Sequence, residues 1–296
     1  MGSKFDAESL DLHKSHHGKL GVTPTVPLKT RDDLSRAYTP GVAAPCLAIK
    51  AEPEKIYDYT SKGNMVAVVT NGTAVLGLGN IGAGAGLPVM EGKSILFKGF
   101  AGVDSVPVCV NSQKVEDVVK VCQLIAPTYG GINLEDIKAP QCFDIENELK
   151  KTLDIPVFHD DQHGTAIVVV SALLNAYKYL DKDLRTAKIV INGAGAAGQA
   201  IARLLFSYGI QTVVLCDTTG AVYEGRTENM NPYKDALAKV SNRQKEKGTL
   251  AQIIKGKDIF IGVSAPGSLT PEMIKSMNAD PVIMAMANPV PEILPD

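Results

Sequence analysis

The run Lys188-Ile189-Val190-Ile191-Asn192, followed at once by Gly193-Ala194-Gly195-Ala196-Ala197-Gly198, restricts the fold more than any other part of this chain. A short β-branched run closing on regularly spaced glycines reads as a buried strand, a tight turn and the start of a helix. The pattern then alternates. A helix over 196–208 precedes a strand over 211–217, and further strands over 257–262 and 281–287 flank a helix over 271–277. Alternation of this kind implies a doubly wound parallel sheet with helices on both faces. Residues 228–256 are polar and weakly periodic and read as helical.

The glycine turn carries chemistry as well as shape. Gly193 permits the turn, Gly195 lets a ligand approach the backbone, and Gly198 lets helix pack closely on strand. The unpaired N–H groups around Ala194, Ala196 and Ala197 and the helix dipole favour a pyrophosphate. Asp217, at the end of the next strand, can accept hydrogen bonds from ribose hydroxyls. Its charge would repel a 2′-phosphate, so it favours NAD over NADP.

Upstream lie two carboxylate pairs, Glu135-Asp136 and Asp160-Asp161. Carboxylate oxygens suit hard divalent cations such as Mg²⁺ or Mn²⁺, which keep positions open for substrate oxygens. Sequence neighbours rarely point the same way, so Glu135 and Asp136 can both serve only where the chain is irregular. In the second pair Asp161 is the ligand and Asp160 orients a neighbouring group. His159 and His163 read as hydrogen-bonded structural histidines. Lys93, after a glycine-rich segment and before the apolar run Ser94-Ile95-Leu96-Phe97 (read as a strand), could serve as a general base if partly buried. Lys98 competes for that role. Tyr38 precedes the rigid Thr39-Pro40-Gly41, and Asn288 follows the last strand, where ligands gather in such sheets.

Composition bounds the rest. With 296 residues, 45% hydrophobic and 21% charged, the chain suits one large or two moderate globular domains. We read an N-terminal α/β substrate and metal domain over 1–162 and a Rossmann-like domain over 163–296. The charged run 181–185 reads as the link to a second domain. A net charge of −2 argues against a nucleic-acid partner. No apolar run is long enough for a membrane, the N-terminus lacks the core of a secretory signal, and the cysteines show no C-x-x-C spacing. A cytoplasmic location with reduced thiols follows.

Taken together, these segments resemble the malic enzymes, specifically the small-subunit type of bacteria and some protists. The shared motifs are Tyr38-Thr39-Pro40-Gly41-Val42-Ala43, Asn71 through Gly79, Pro88-Val89-Met90-Glu91-Gly92-Lys93, Asn133-Leu134-Glu135-Asp136, Phe158 through Ala166, Gly193 through Gly198 and Ala287-Asn288-Pro289. The resemblance implies oxidative decarboxylation of L-malate to pyruvate and CO₂, with NAD or NADP and Mg²⁺ or Mn²⁺, by a homodimer. It implies Glu135, Asp136 and Asp161 as metal ligands, Lys93 as general base, Tyr38 as general acid, Asp160 in catalytic support and Asn288 in contact with substrate and cofactor. Malolactic chemistry, with NAD retained and lactate released, is the neighbouring alternative, and a catalytically silent nucleotide-binding fragment is another. Two departures stand out. Ala74 occupies the stretch in which larger members carry a substrate-binding arginine. The family also continues past residue 296, so a truncated, incomplete nucleotide domain with impaired activity is expected.

Overall fold

The computed structural model describes residues 5–75 and 77–295; Leu76 and Asp296, the latter at the end of the second domain as read from sequence, lie outside the described residues. In chain order the helices are α1 Asp6–His16, α2 Arg31–Ala37, α3 Ala43–Ala51, α4 Ile56–Tyr59, α5 Ala83–Ala101, α6 Val115–Ile125, α7 Gln141–Thr152, α8 Asp160–Tyr179, α9 Ala196–Tyr208, α10 Pro232–Ala238, α11 Leu250–Ile253 and α12 Pro271–Lys275. The strands are β1 Met65–Thr70, β2 Asp104–Cys109, β3 Gly131–Leu134, β4 Val157–His159, β5 Lys188–Asn192, β6 Thr212–Asp217, β7 Gly220–Ala221, β8 Ile259–Gly262 and β9 Val282–Ala285. The chain forms two compact units. One comprises 1–73, 81–135 and 147–157, the other 74–80, 136–146 and 158–296.

The first unit is built on β2, β1 and β3, with β1 parallel to both neighbours. Parallel strands covered on both faces read as continuous apolar runs, and Ala67, Val68 and Val69 of β1 are fully buried. Val118, Val119 and Cys122 form the buried stripe of α6, as their spacing predicts.

One expectation fails here. Ser94 through Phe97 is not a strand but part of the nineteen-residue helix α5. Its buried stripe is Ala83, Gly86, Met90 and Ser94, at helical spacing but made mostly of small residues. The conspicuous Ile95 and Leu96 lie on its exposed side. Lys93 therefore sits on a helix, not in a loop.

The second unit carries a sheet of order β7-β6-β5-β8-β9, parallel except for the short β6–β7 pair. Helices α8 and α9 share one core with β5 and β8, through Val169, Leu173, Ile201, Leu205, Ile189 and Ile261. The charged run 181–185, read from sequence as the link to a second domain, falls inside this unit, with Leu184 in its core. On the other face Val190, Val214 and Phe260 pack with Ile253, Ile254 and Leu269. The stretch 228–256 is less regular than its reading as helix: only α10 and α11 form within it. Residues 144–151 read from sequence as a helix with Asp144 as its N-cap; the helix α7 starts earlier. Asp144 lies in the first turn of α7 and accepts a hydrogen bond from Tyr233 Oη at 2.5 Å.

Candidate metal and dinucleotide sites

The carboxylates converge. Glu135, Asp136 and Asp161 each offer an oxygen within 4.8 Å of the others. The chain irregularity this needs is present, because Asp136 has φ +53°, a left-handed conformation uncommon outside glycine and asparagine. Strand β3 ends at Leu134, and the chain leaves extended geometry at Asp136. Asp161 Oδ2 accepts the Asp136 N–H at 2.9 Å, which locks the two together. Glu135 Oε2 accepts Asn133 Nδ2 at 2.8 Å, and its Oε1 lies 3.1 Å from Lys93 Nζ.

Asp160 and Asp161 open the twenty-residue helix α8, where the helix dipole favours negative charge. The apolar stretch 165–180 reads as a helix from sequence; the structure begins it five residues earlier, at paired acids that are an ordinary helix-start signal. A side-chain carbon at Gly164 would collide with Asp160 Oδ1 and lie 3.5 Å from its Oδ2. The bare glycine gives the Asp160 carboxylate its place on the helix.

Below the acids lies a polar layer. Glu146, 4% exposed, accepts from Gln162 Nε2 at 3.2 Å and pairs with His163 Nε2 at 2.7 Å. His159 is fully buried, with Nε2 3.5 Å from Asp161 Oδ2. Burial pushes its pKa below the usual histidine range, against the pull of Asp161 and Glu146.

The donor set suits a hard divalent cation. It is all carboxylate oxygen, and two of the three residues are buried.

The glycine turn forms as expected. Gly193 has φ +121° and Gly195 is the N-cap of α9. A side-chain carbon at Gly198 would strike the Gly193 carbonyl, whereas one at Gly195 would meet nothing within 4 Å. Gly195 thus borders open space, the room a phosphate needs beside the backbone. That space belongs to a cavity of about 940 Å³, lined by Gly193, Ala194, Gly195, Asp217 and Lys234, with Ser264 and Ser268 among the rest. Ala139 and Pro140, three and four residues past Asp136, line the same cavity.

Asp217 lines this cavity but not as a free carboxylate. Arg226 grips it with both terminal nitrogens (2.9 and 2.5 Å), Lys234 Nζ donates at 2.7 Å, and Thr219 donates through N and Oγ1. Burial alone would raise its pKa; the hydrogen bonds from Arg226, Lys234 and Thr219 outweigh burial and hold it well below the usual carboxylate range. Two cations face one anion, so the charge argument against a 2′-phosphate does not carry over. No motif marks Arg226 or Lys234: Lys234 lies in the weakly periodic stretch and Arg226 just before it, seventeen and nine residues beyond Asp217.

The remaining candidates are placed but not joined to this geometry. Tyr38 is 66% exposed at the C-terminus of α2. Asn288 follows β9, and its carbonyl abuts Gly77, where a side-chain carbon would come within 2.6 Å. Lys98 pairs with Asp104 at 2.8 Å on the surface, not with the acids near Lys93.

Comparison with known proteins agrees with both halves. Residues 17–150 match the malic enzyme N-terminal domain and residues 162–293 the malic enzyme NAD binding domain. The bifunctional malic/malolactic enzyme of Bacillus subtilis is 56% identical over 98% of this chain and 70% of its own length. The NADP-dependent malic enzyme of Rhizobium meliloti is 52% identical over 100% of this chain and 39% of its own. The chain thus spans well under half of that second relative. The crystal structure of the NAD-dependent malic enzyme from Thermotoga maritima superimposes with a TM-score of 0.94 at 47% identity, covering 97% of this chain and 76% of that one. With a clustered carboxylate trio, a glycine turn opening onto a dinucleotide-sized cavity, and family matches over both halves, the chain belongs to the malic enzyme family.

Proposed function

We propose that this chain oxidatively decarboxylates L-malate to pyruvate and CO₂ with reduction of NAD or NADP. The observation that carries the reading is local. Asp136 is tied to Asp161 and lies three and four residues before Ala139 and Pro140, which line the cavity at the glycine turn. When bound, a divalent cation supplies Lewis acidity and a nicotinamide supplies the hydride acceptor.

The chain's own groups do the rest. Glu135, Asp136 and Asp161 would hold the cation. Lys93, next to Glu135, would take the C2 hydroxyl proton, and Tyr38 would return a proton to C3 after CO₂ leaves. Asn288 would contact malate and cofactor, and Asp160, fixed over Gly164, would orient a neighbouring group. The residues 193–198 would hold the pyrophosphate.

Steady-state NADH or NADPH formation from malate, with and without Mn²⁺, tests the reading; no metal-dependent turnover with either nucleotide sinks it. The identity to a bifunctional relative favours malolactic chemistry as a second reading, and product analysis separates pyruvate from lactate. We further infer a cytoplasmic homodimer with no nucleic-acid or membrane partner. Its support is the near-balanced charge of −2 and the exposed Leu10, Leu12 and Leu47. No helix among the described residues is long and apolar enough to cross a membrane. Sedimentation velocity on the same preparation returns a dimer if this holds; a monomer rules it out.

The two glycines separate folding from binding. Gly195→Ala is expected to leave the melting temperature within about 2 °C, because its new carbon meets nothing, yet to weaken NADH binding on the order of tenfold by filling the phosphate's space. Gly198→Ala is expected to destabilise the fold by about 1–3 kcal/mol through overpacking on the Gly193 carbonyl. Thermal melts and NADH fluorescence titrations of both variants check the contrast.

A further inference from the structure

We propose that Glu292 is a positioning residue that clasps together the two loops framing the nicotinamide end of the dinucleotide site. This rests on the dinucleotide reading above. Glu292 is 0% exposed, and no motif drew attention to it. Its Oε1 accepts the Ser264 N–H at 3.0 Å and its Oε2 accepts the Ala287 N–H at 2.9 Å. Ser264 lies two residues past the end of β8, and Ala287 two past the end of β9. One carboxylate therefore joins the loops that leave two adjacent parallel strands on the ligand-facing edge of the sheet.

The surroundings are shaped for it. Gly262, the last residue of β8, leaves the space the carboxylate occupies: a side-chain carbon there would lie 2.6 and 2.7 Å from the Glu292 oxygens. The backbone continues the clasp, with Gly267 N–H donating to Pro291 O and Leu269 N–H to Glu292 O.

The loops it joins face the ligand. Ser264 and Ser268 line the cavity and accept the two hydrogen bonds of Asn192 Nδ2, at 2.7 and 3.0 Å, beside the glycine turn. Ala287 immediately precedes Asn288. Across the sheet the order β6, β5, β8, β9 sets Asp217, the glycine turn, the Ser264 loop and Asn288 in a row. A dinucleotide with its adenosine ribose at Asp217 and its pyrophosphate at the turn must lay its nicotinamide half toward the last two. Glu292 thus acts on the reactive half of the cofactor without touching it.

The test compares NADH with ADP-ribose, which lacks the nicotinamide, by fluorescence and calorimetric titration of the full chain. Glu292→Gln keeps the shape but turns an NH₂ donor against one of the two N–H groups. It is expected to weaken NADH binding at least tenfold and ADP-ribose binding less than threefold. Gly262→Ala, which displaces the carboxylate and leaves its chemistry intact, is expected to show the same split. Equal losses for both ligands, or no loss for either, overturn the assignment. A wild-type chain that binds neither ligand overturns the dinucleotide reading, and this assignment with it.

Discussion

Asp161→Ala is expected to lower metal-dependent malate turnover by at least about 10³-fold, equivalent to ~4 kcal/mol of barrier. The same substitution should abolish Mn²⁺ binding, so the free-ion electron paramagnetic resonance signal of added Mn²⁺ stays undiminished by protein. Asp161 is expected to dominate because it does two jobs. It supplies one of three converging oxygens and, through Oδ2, accepts the N–H of Asp136, the second proposed ligand, in its left-handed turn. Asp161→Asn keeps an acceptor for that N–H and loses the charge. If Asn restores Mn²⁺ binding, the oxygen at this position matters and its negative charge does not. NADH affinity, governed by the glycine turn, should stay within about twofold in both variants. An alanine variant that still binds Mn²⁺ normally removes Asp161 from the proposed metal site.

The second large effect concerns stability. Asp217→Ala leaves the Arg226 and Lys234 side chains, 5% and 10% exposed, without their counter-charge. Removing one partner of a buried ion pair costs about 3–5 kcal/mol, which for a chain of this size lowers the melting temperature by on the order of 10 °C. The pH dependence has a definite sign. The folded-state pKa of Asp217 is depressed, so its stabilisation is complete above the unfolded carboxylate value, about 4, and is lost as pH falls through the lower folded value. The stability gap between wild type and Asp217→Ala, from urea unfolding, should therefore hold from pH 7 to about 5 and shrink toward pH 3. A gap under about 1 kcal/mol at pH 7, or one that does not shrink with acid, contradicts the ion-cluster account.

The two halves of the site were not equally legible in the sequence. The parallel strand β5 announced itself, because a strand buried on both faces carries an apolar run, here the fully buried Ile189, Val190 and Ile191. The glycine turn was legible because its geometry demands particular residues at particular places. Helix α5 was hidden by its own packing. Its buried stripe uses Gly86 and Ser94, which no hydrophobicity pattern marks, while its exposed side carries the apolar run that resembles a strand. The carboxylates could be named from sequence as the resemblance implies, but the device that assembles them, a left-handed residue bonded to a side chain 25 positions away, could not. The ion cluster on Asp217 and the clasp at Glu292 were invisible for a related reason. Their partners come from polar loops with no periodicity, brought near only by the order of strands in the sheet.

That order also governs how the chain must assemble. Val66 pairs with Gly131 across the first sheet, and Ile189 with Ile259 across the second, so each central ladder closes a loop of several dozen residues. Closing such loops delays the reward of pairing, and topologies rich in distant contacts fold slowly. During synthesis the apolar strand β5 emerges well before β8, its partner on one side, and must wait with that edge uncovered. The interval between the two is when this chain is most open to aggregation, and when a chaperone has most to protect.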